Sequence, residues 1–292
     1  DDKAKAEITS TSKYGNYQID LSDINLDIKN VQGVLLETDD GKKYGLEHLE
    51  NIWVKPAELA FAVEAFKENH GNDVDYLRYA DMQGKTIKKI TYLLADADDI
   101  EVDTSLYVTK KAPDGYKLTG DEKVNYAADG TKINYKLETA DTKYKLSRIV
   151  YKNSNVKWTA DTSTDGVVAL PKEAGPGKYQ LIFSSDTYND LSMTVTVDSG
   201  LKEGDIKFEN NAIVIADNAQ KIDAKMYLDG INSAKVNDTE YKGGKGRSFG
   251  KNAFNEDGSV KLDAATKGDD GEKPIFASGK NTVTLKADGY PD

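Results

Sequence analysis

The sequence contains no cysteine, only two histidines and no long apolar run, and each shortage excludes a class of protein. Without cysteine among its 292 residues, the chain forms no disulfide and offers no thiolate to a metal. No run of 18 apolar residues occurs, and the start, Asp1 to Lys5, lacks the apolar core of a signal peptide. Among exported proteins, the lack of cysteine fits a bacterial cell surface better than an animal secretion.

Basic residues are also in the minority, at 39 against 50 acidic ones, which gives a net charge of -11. The acidic residues are spread along the whole length, so a phosphate backbone would be repelled. This excess argues against nucleic acid as a partner. Tyrosine is abundant, with 17 copies, and its amphipathic ring suits both cross-strand pairs and binding faces.

Metal sites have few candidate ligands. His48 and His70 are the only histidines, and two histidines without cysteine fall short of the three or four ligands that zinc needs. The densest acidic cluster, residues 96–103, does not match an EF-hand, because the sixth and twelfth places counted from Asp99 hold Thr104 and Lys110. A solvated strand face is the favoured reading of this cluster, and a calcium site of another kind is the alternative. We expect no metal and no cofactor.

A catalytic set is equally hard to assemble. The pattern Ser-x-x-Lys occurs at Ser10–Lys13 and Ser154–Lys157, but the supporting Ser-Asp-Asn and Lys-Thr-Gly elements are missing. Both matches fall in segments predicted to be extended, where the serine and the lysine, three residues apart, point to opposite faces. No Gly-x-Ser-x-Gly elbow or phosphate-binding glycine motif is present. The sequence therefore favours a protein that is not an enzyme.

Alternating apolar residues between Gly, Asp and Asn turns predict a mainly β protein built of three domains. Residues 131–137 and 191–197 alternate clearly, and Asp129-Gly130 before the first of them indicates a hairpin. We predict an N-terminal β-rich module over 1–112 and immunoglobulin-like β-sandwiches over 113–199 and 200–292. The last of these carries a long polar insertion.

The N-terminal module differs from the other two because it includes a predicted helix. Residues 33–44 read as strand, Asp-Gly turn and strand, and 87–94 and 100–108 supply two more strands. Leu46, Leu49 and Trp53 are spaced for one face of a short helix, which Pro56 interrupts. In residues 59–63, large apolar side chains occupy every second position, which favours a strand.

Residues 177–190 align without a gap with residues 279–292. Five pairs are identical, and Leu181/Val283 and Phe183/Leu285 keep the alternation of a half-buried strand. We interpret this as a repeated β module. A strand follows the first copy, so we expect the second copy to lack its final strand within these 292 residues.

The polar insertion of the third domain covers residues 243–271 and is rich in glycine. Its first part is locally basic, with Lys242, Lys245, Arg247 and Lys251, in an otherwise acidic protein. Long polar loops are often functional, so a merely solvated loop and a contact with an acidic partner are both open. The residues proposed for such a contact are Tyr241, Lys242, Lys245, Arg247 and Phe249.

Two families share features with residues 113–292. The segment from Gly175 to Asp190, followed by Met193–Val197, resembles the immunoglobulin-like C-terminal domains of the treponemal penicillin-binding lipoprotein. Residues 236–241 with 279–290 resemble the haemoglobin-interacting domains of Gram-positive surface receptors. The first resemblance implies β-lactam binding, although no catalytic residue of that family maps onto this chain, and the second implies capture of haem or haemoglobin.

Together these features favour an extracellular segment of a bacterial cell-surface protein that binds a macromolecular partner. Tandem sandwich modules outside the cell usually bind other molecules, but fold similarity alone does not fix function. Haemoglobin capture and penicillin binding stand as the alternatives that the resemblances imply.

Overall fold

Strands dominate the chain because apolar and polar residues alternate along most of its segments. A computed structural model describes residues 5–6, 8–10, 17–20, 31–47, 58–60, 74–76, 82–94, 97–153, 157–159, 163–164, 166–261 and 274–292. They fall into two compact units, one formed by residues 1–114 and 185–189 and the other by 115–184 and 190–292. The fold class is mainly β, as predicted. The division into three domains, with a boundary at residue 199, stays a prediction.

The first unit contains a six-stranded sheet and a three-stranded sheet. The strands are β1 (Lys5–Ala6), β2 (Ile8–Ser10), β3 (Tyr17–Asp20), β4 (Val31–Thr38), β5 (Lys43–Glu47), β6 (Glu58–Ala60), β7 (Val74–Tyr76), β8 (Thr86–Leu94) and β9 (Ile100–Val108). The larger sheet has the order β1-β9-β8-β4-β5-β7, and the smaller has the order β2-β3-β6. The predicted strand pair around the Asp39-Asp40-Gly41 turn is confirmed, as are the two strands after it.

The predicted helix of this unit begins where the structure has a strand. Leu46 and Glu47 belong to β5, and residues 48–53 lie outside the described part. The turn between β4 and β5 is held by charge: Lys85 Nζ lies 2.8 Å from Asp40 Oδ2 and donates to Tyr44 Oη at 2.9 Å. The hydrogen bond that Lys85 donates to Asp40 holds the pKa of this exposed carboxyl well below its usual range.

The second unit begins with nine strands that form two facing sheets. They are β10 (Lys117–Gly120), β11 (Lys123–Asn125), β12 (Lys132–Glu138), β13 (Lys145–Tyr151), β14 (Lys157–Thr159), β15 (Ser163–Thr164), β16 (Val167–Ala169), β17 (Gly177–Ser184) and β18 (Leu191–Asp198). One sheet has the order β10-β12-β16-β15 and the other β11-β18-β17-β13-β14. The buried core joins Ile133 and Val168 of the first sheet to Leu181 and Val195 of the second. This arrangement is a β-sandwich.

The topology of this sandwich is that of an immunoglobulin domain. In the letters used for such domains, the first sheet reads A-B-E-D. The second reads G-F-C with C′ added at one edge and with β11, which runs parallel to strand G, added at the other. The Tyr179 hydroxyl at the start of strand F donates to the carbonyl of Gly175 at 2.6 Å, which is the tyrosine corner of that fold. Leu181, two residues on, occupies the place of the second cysteine and is fully buried. The predicted immunoglobulin-like fold is confirmed for this part of the chain, while the domain bounds 113–199 stay a prediction.

In the remainder of the second unit, the described residues form strands and two helices. Its elements are β19 (Ile206–Glu209), β20 (Ala212–Ile215), α1 (Ala224–Gly230), β21 (Ile231–Val236), β22 (Thr239–Tyr241), α2 (Gly243–Ala253) and β23 (Val283–Ala287). β19 and β20 form a hairpin, and β22-β21-β23 form a sheet. This half shares one core with the sandwich. The second sandwich expected over 200–292 stays a prediction, because residues 262–273 lie outside the described part.

Helix α2 occupies the segment that the sequence indicated as a polar loop. Gly246, Phe249, Gly250 and Ala253 are buried and spaced three and four apart, so they form one face of the helix. A Cβ on Gly250 would meet the Leu228 carbonyl oxygen closely, and one on Gly246 would meet that of Asn232. The glycines therefore allow close packing on α1 and β21, and the loop expectation is wrong for residues 243–253.

Candidate functional site: a cleft in the second unit

A cleft of about 1150 Å³ lies within the second unit. Strands β13 and β14 and the segment before β17 line it from the sandwich, while α1 and α2 line it from the other half. The side chains whose chemistry defines the cleft are Tyr151, Asn153, Trp158, Glu173, Tyr179, Lys225, Asp229, Arg247, Lys251 and Glu256. A concave site with a few convergent polar groups is the usual form of a binding site.

Three aromatic rings form the sandwich wall of the cleft. The Tyr151 and Tyr179 rings stack with centroids 5.0 Å apart, and the Trp158 centroid lies 5.8 Å from that of Tyr179. Both tyrosines are buried, whereas Trp158 is half-buried and is the ring with accessible surface. Burial raises the pKa of both tyrosines, so their hydroxyls stay protonated at neutral pH. The indole of Trp158 is therefore the aromatic surface that a ligand can reach, and the rings of Tyr151 and Tyr179 pack against it.

Asn153 connects the sandwich to the helical side of the cleft. Its Nδ2 donates to the carbonyl oxygens of Asp229 at 2.6 Å and Ile231 at 2.9 Å. The Asp229 carbonyl lies at the end of α1, where helical carbonyls lack partners within the helix. Asn153 is only 8% exposed, and its Oδ1 has no hydrogen-bond partner among the described residues. The cleft therefore has a buried acceptor in its lining.

Helix α2 supplies cations to the opposite wall. Gly244, Arg247, Ser248 and Lys251 recur at helical spacing and line the cleft, while the apolar face of α2 packs into the core. Arg247 and Lys251 are exposed, and neither forms an ion pair with another described residue. The Lys251 carbonyl accepts a hydrogen bond from Lys261 Nζ at 2.7 Å. This wall is cationic although the whole chain is acidic.

Carboxylates complete the lining. Asp229 is paired with Lys225 at 2.8 Å, one helical turn away, and this hydrogen bond raises the pKa of Lys225. Glu173 comes from the segment before β17, and Glu256 follows α2. The cleft thus combines an aromatic surface, cations that can meet an anion, and oxygens that can accept hydrogen bonds.

The five residues predicted as partner contacts have different environments. Arg247 lines the cleft, whereas Lys242 and Lys245 are exposed but lie outside its lining, and Lys242 pairs with Glu240 at 3.1 Å. Phe249 is fully buried, with its ring 5.0 Å from that of the half-buried Tyr241. Phe249 therefore anchors α2 in the core, and Tyr241 packs against its ring. The contact surface proposed below keeps Arg247 and adds Lys251, which the sequence had already placed in the basic stretch.

Other sequence candidates fall largely outside the described residues. His48, His70, Ser154 and residues 11–13 are among those not described. Of the acidic cluster, Glu101 and Asp103 are exposed on β9, which confirms the solvated face expected for them. Within the part of the chain that the structure describes, no three His, Cys, Asp or Glu residues are grouped to hold a metal. No helix of that part is long and apolar enough to span a membrane.

The aromatic and amide side of the cleft was missed by sequence reasoning. Tyr151 is the last residue of β13 and Asn153 follows it, and tyrosine is common in strands and carries no specific signal there. Their role depends on α1 and α2, which begin more than seventy residues later. The helical spacing of Gly246, Phe249, Gly250 and Ala253 was the one signal available for α2.

Comparisons with known proteins do not identify a family. No family model and no curated protein matches the chain. Solved structures similar to it include fibronectin(III)-like modules of Clostridium thermocellum CbhA, at 15% identity and a TM-score of 0.21, over 68% of this chain and 90% of that one. Murine CEACAM1b is 12% identical with a TM-score of 0.22, over 67% of this chain and 98% of that one.

A Bacteroides ovatus surface protein, SGBP-B of a mixed-linkage glucan utilization locus, is also similar. Its structure was solved with a mixed-linkage heptasaccharide, and it is 12% identical with a TM-score of 0.20, over 98% of this chain and 61% of that one. TM-scores this low carry no argument about fold or function. The immunoglobulin-like assignment therefore rests on the strand order and the tyrosine corner.

Proposed function

We propose that this chain is an extracellular segment of a bacterial cell-surface protein, and that it binds a macromolecular partner non-enzymatically through the cleft. The observation that carries the proposal is the lining itself, which contains the half-buried Trp158 together with Arg247 and Lys251, two cations that form no ion pair with any described residue. Aromatic rings and arginine are the side chains that contribute most to binding energy at recognition sites. The surface location is supported by the immunoglobulin-like sandwich, an architecture that many cell-surface domains share.

The cleft is built for recognition because its walls are held rigidly. Asn153 fixes the end of α1 to the sandwich, and Gly246 and Gly250 hold α2 against α1 and β21. A preformed site loses less conformational entropy when it binds a partner. Cations beside an aromatic surface in an acidic protein also favour an anionic feature on that partner.

Partner capture with matched variants tests the proposal. The full chain, Arg247→Ala and Lys245→Ala are immobilised and exposed to host serum, tissue extract and cell-wall extract. We expect the wild type and Lys245→Ala to retain the same partner and Arg247→Ala to lose most of it. Lys245 carries the same charge on the same helix but lies outside the lining. Equal capture by all three, or none above background, refutes the proposal.

Two other hypotheses about the function can be assayed directly. Haemoglobin capture predicts a complex with haemoglobin or a Soret shift on titration with haem, and a flat titration removes it. Penicillin binding predicts a covalent adduct with fluorescent penicillin that Ser10→Ala or Ser154→Ala abolishes. Both are kept as proposals because the resemblances in residues 113–292 suggest them.

A further inference from the structure

The chemistry of the cleft lining indicates a class of ligand. We propose that the cleft binds an acidic oligosaccharide, a sugar chain whose rings carry carboxylate or sulfate groups, and this rests on the cleft being the binding site proposed above. Three features of the lining support it: an aromatic surface, buried and charged acceptors, and unpaired cations. Each matches a different part of such a ligand.

The aromatic surface matches a sugar ring. A pyranose has an apolar face of C–H groups, and the negative face of an aromatic ring attracts their partial positive charge. Trp158 offers the largest such face in the cleft and is half-buried, so one side of a sugar could pack on it. Tyr151 and Tyr179 hold the indole from behind, with the Tyr151 centroid 6.4 Å from that of Trp158.

The acceptors match sugar hydroxyls. Asn153 Oδ1 is buried without a partner among the described residues, and both hydrogens of its Nδ2 are used by the Asp229 and Ile231 carbonyls. A buried acceptor of this kind lacks a compensating donor, which a water molecule bridging it to a ligand hydroxyl would supply. Glu173 and Glu256 add carboxylates that accept from hydroxyl groups. A ligand rich in hydroxyls satisfies all three.

The cations match the acidic group. Arg247 can hold a carboxylate or sulfate through two parallel hydrogen bonds, and Lys251 lies one turn further along α2. An acidic peptide would meet these cations equally well. Glu173 and Glu256 repel the anionic groups of both ligands, so charge does not distinguish them. The sugar differs because each ring brings a C–H face for Trp158 and several hydroxyl donors for the two carboxylates, neither of which an acidic peptide supplies.

The size of the cleft favours an oligosaccharide over a single sugar. Small-ligand sites usually measure roughly 300–1,000 Å³. At about 1150 Å³, the cleft exceeds that range. It leaves room for sugars on both the Trp158 side and the α2 side.

Calorimetric titration of the full chain tests the class. The probes are short oligosaccharides of galacturonic acid and of chondroitin sulfate, the neutral oligomer of galactose, and a polyglutamate peptide. We expect at least one acidic sugar to bind about tenfold or more tightly than the galactose oligomer, because it adds a charge-assisted pair with Arg247. We expect the same margin over polyglutamate, because the peptide offers no sugar ring to Trp158. Arg247→Ala and Trp158→Ala should each weaken binding about tenfold, with Lys245→Ala unchanged.

The outcomes separate this inference from the proposed function. Equal binding of neutral and acidic sugars, preference for polyglutamate, or no sugar binding at all overturns the acidic-sugar class. If no sugar binds but Arg247→Ala still captures less partner than the wild type, only the ligand class is wrong. If no sugar binds and Arg247→Ala captures as much partner as the wild type, the ligand class and the proposed function are both wrong. Circular dichroism spectra that match the wild type show that each variant is folded.

Discussion

Replacing Asn153 should loosen the joint between the sandwich and the helical side of the cleft. Asn153→Ala removes two hydrogen bonds, to the Asp229 and Ile231 carbonyls, at a site that is 8% exposed. Each such bond contributes about 1 kcal/mol, and a buried acceptor left unpaired costs about 1–3 kcal/mol. Asn153→Ala also removes the unpaired Oδ1, whose burial is itself unfavourable, and water from the cleft can reach part of the vacated space. We therefore expect a net loss of about 1–3 kcal/mol in unfolding free energy.

Asn153→Asp provides a sharper version of the same test. The aspartate has nearly the same shape but directs carboxylate oxygens at two carbonyl oxygens, so at neutral pH it should destabilise more than alanine does. Protonation restores one donor, so Asn153→Asp should regain stability relative to Asn153→Ala as the pH falls towards about 4.

Denaturant unfolding of the full chain measures these effects. A Trp53→Phe background leaves Trp158, in the cleft, as the only tryptophan, so its fluorescence reports the second unit. Asn125→Ala, at an exposed position on β11, is the matched control and should stay within about 0.5 kcal/mol of the parent. A loss for Asn153→Ala no larger than that of the control would refute the role assigned to this side chain.

Two further predictions concern alkaline pH and helix α2. Burial raises the pKa of Tyr151, Tyr179 and Tyr290 above the ordinary 10.0, so their contribution to stability is complete below pH 10 and is lost above it, as the unfolded chain ionises first. Tyrosinate absorbance should rise together with loss of the strand dichroism signal, and gradual ionisation with dichroism retained would contradict this. Gly250→Ala should destabilise by about 1–3 kcal/mol, because the new Cβ meets the Leu228 carbonyl. Gly244→Ala should stabilise by up to about 1 kcal/mol, because its Cβ meets only Arg247 Nη2, at an ordinary contact distance of 3.9 Å. Thermal unfolding of both variants checks the opposite signs, and equal shifts would contradict the packing described for α2.

Strand positions were predictable from the sequence because side chains alternate across a half-buried strand. Residues 131–137 and 191–197 were predicted from alternation alone and correspond to β12 and β18. The Asp129-Gly130 turn was also placed correctly, since the Gly130 amide donates to the Ala127 carbonyl. The predicted hairpin was wrong, however, because β11 and β12 on either side of this turn belong to different sheets. Turn chemistry is local and does not specify which sheet a strand joins.

Helix α2 was missed because glycine was taken as a loop signal. Glycine weakens an isolated helix, by about 1 kcal/mol each relative to alanine. In this fold, Gly246 and Gly250 permit contacts with backbone carbonyls that no other residue would allow. Packing therefore outweighs propensity, and the spacing of buried residues was a better guide than glycine content.

The cleft itself could be predicted only in part. The basic character of residues 242–251 is visible in the sequence and led to Arg247. The opposite wall comes from Tyr151, Asn153 and Trp158, about ninety residues earlier in the chain. No local pattern links the two, because their proximity results from the shared core of the sandwich and the C-terminal half.

The fluorescence of Trp158 during titration with the captured partner tests the central claim, that binding occurs in this cleft. In the Trp53→Phe background, we predict a saturable change in Trp158 emission whose midpoint matches the dissociation constant measured by calorimetry on the same variant. Binding that calorimetry detects while Trp158 emission stays constant would place the partner elsewhere and contradict the account.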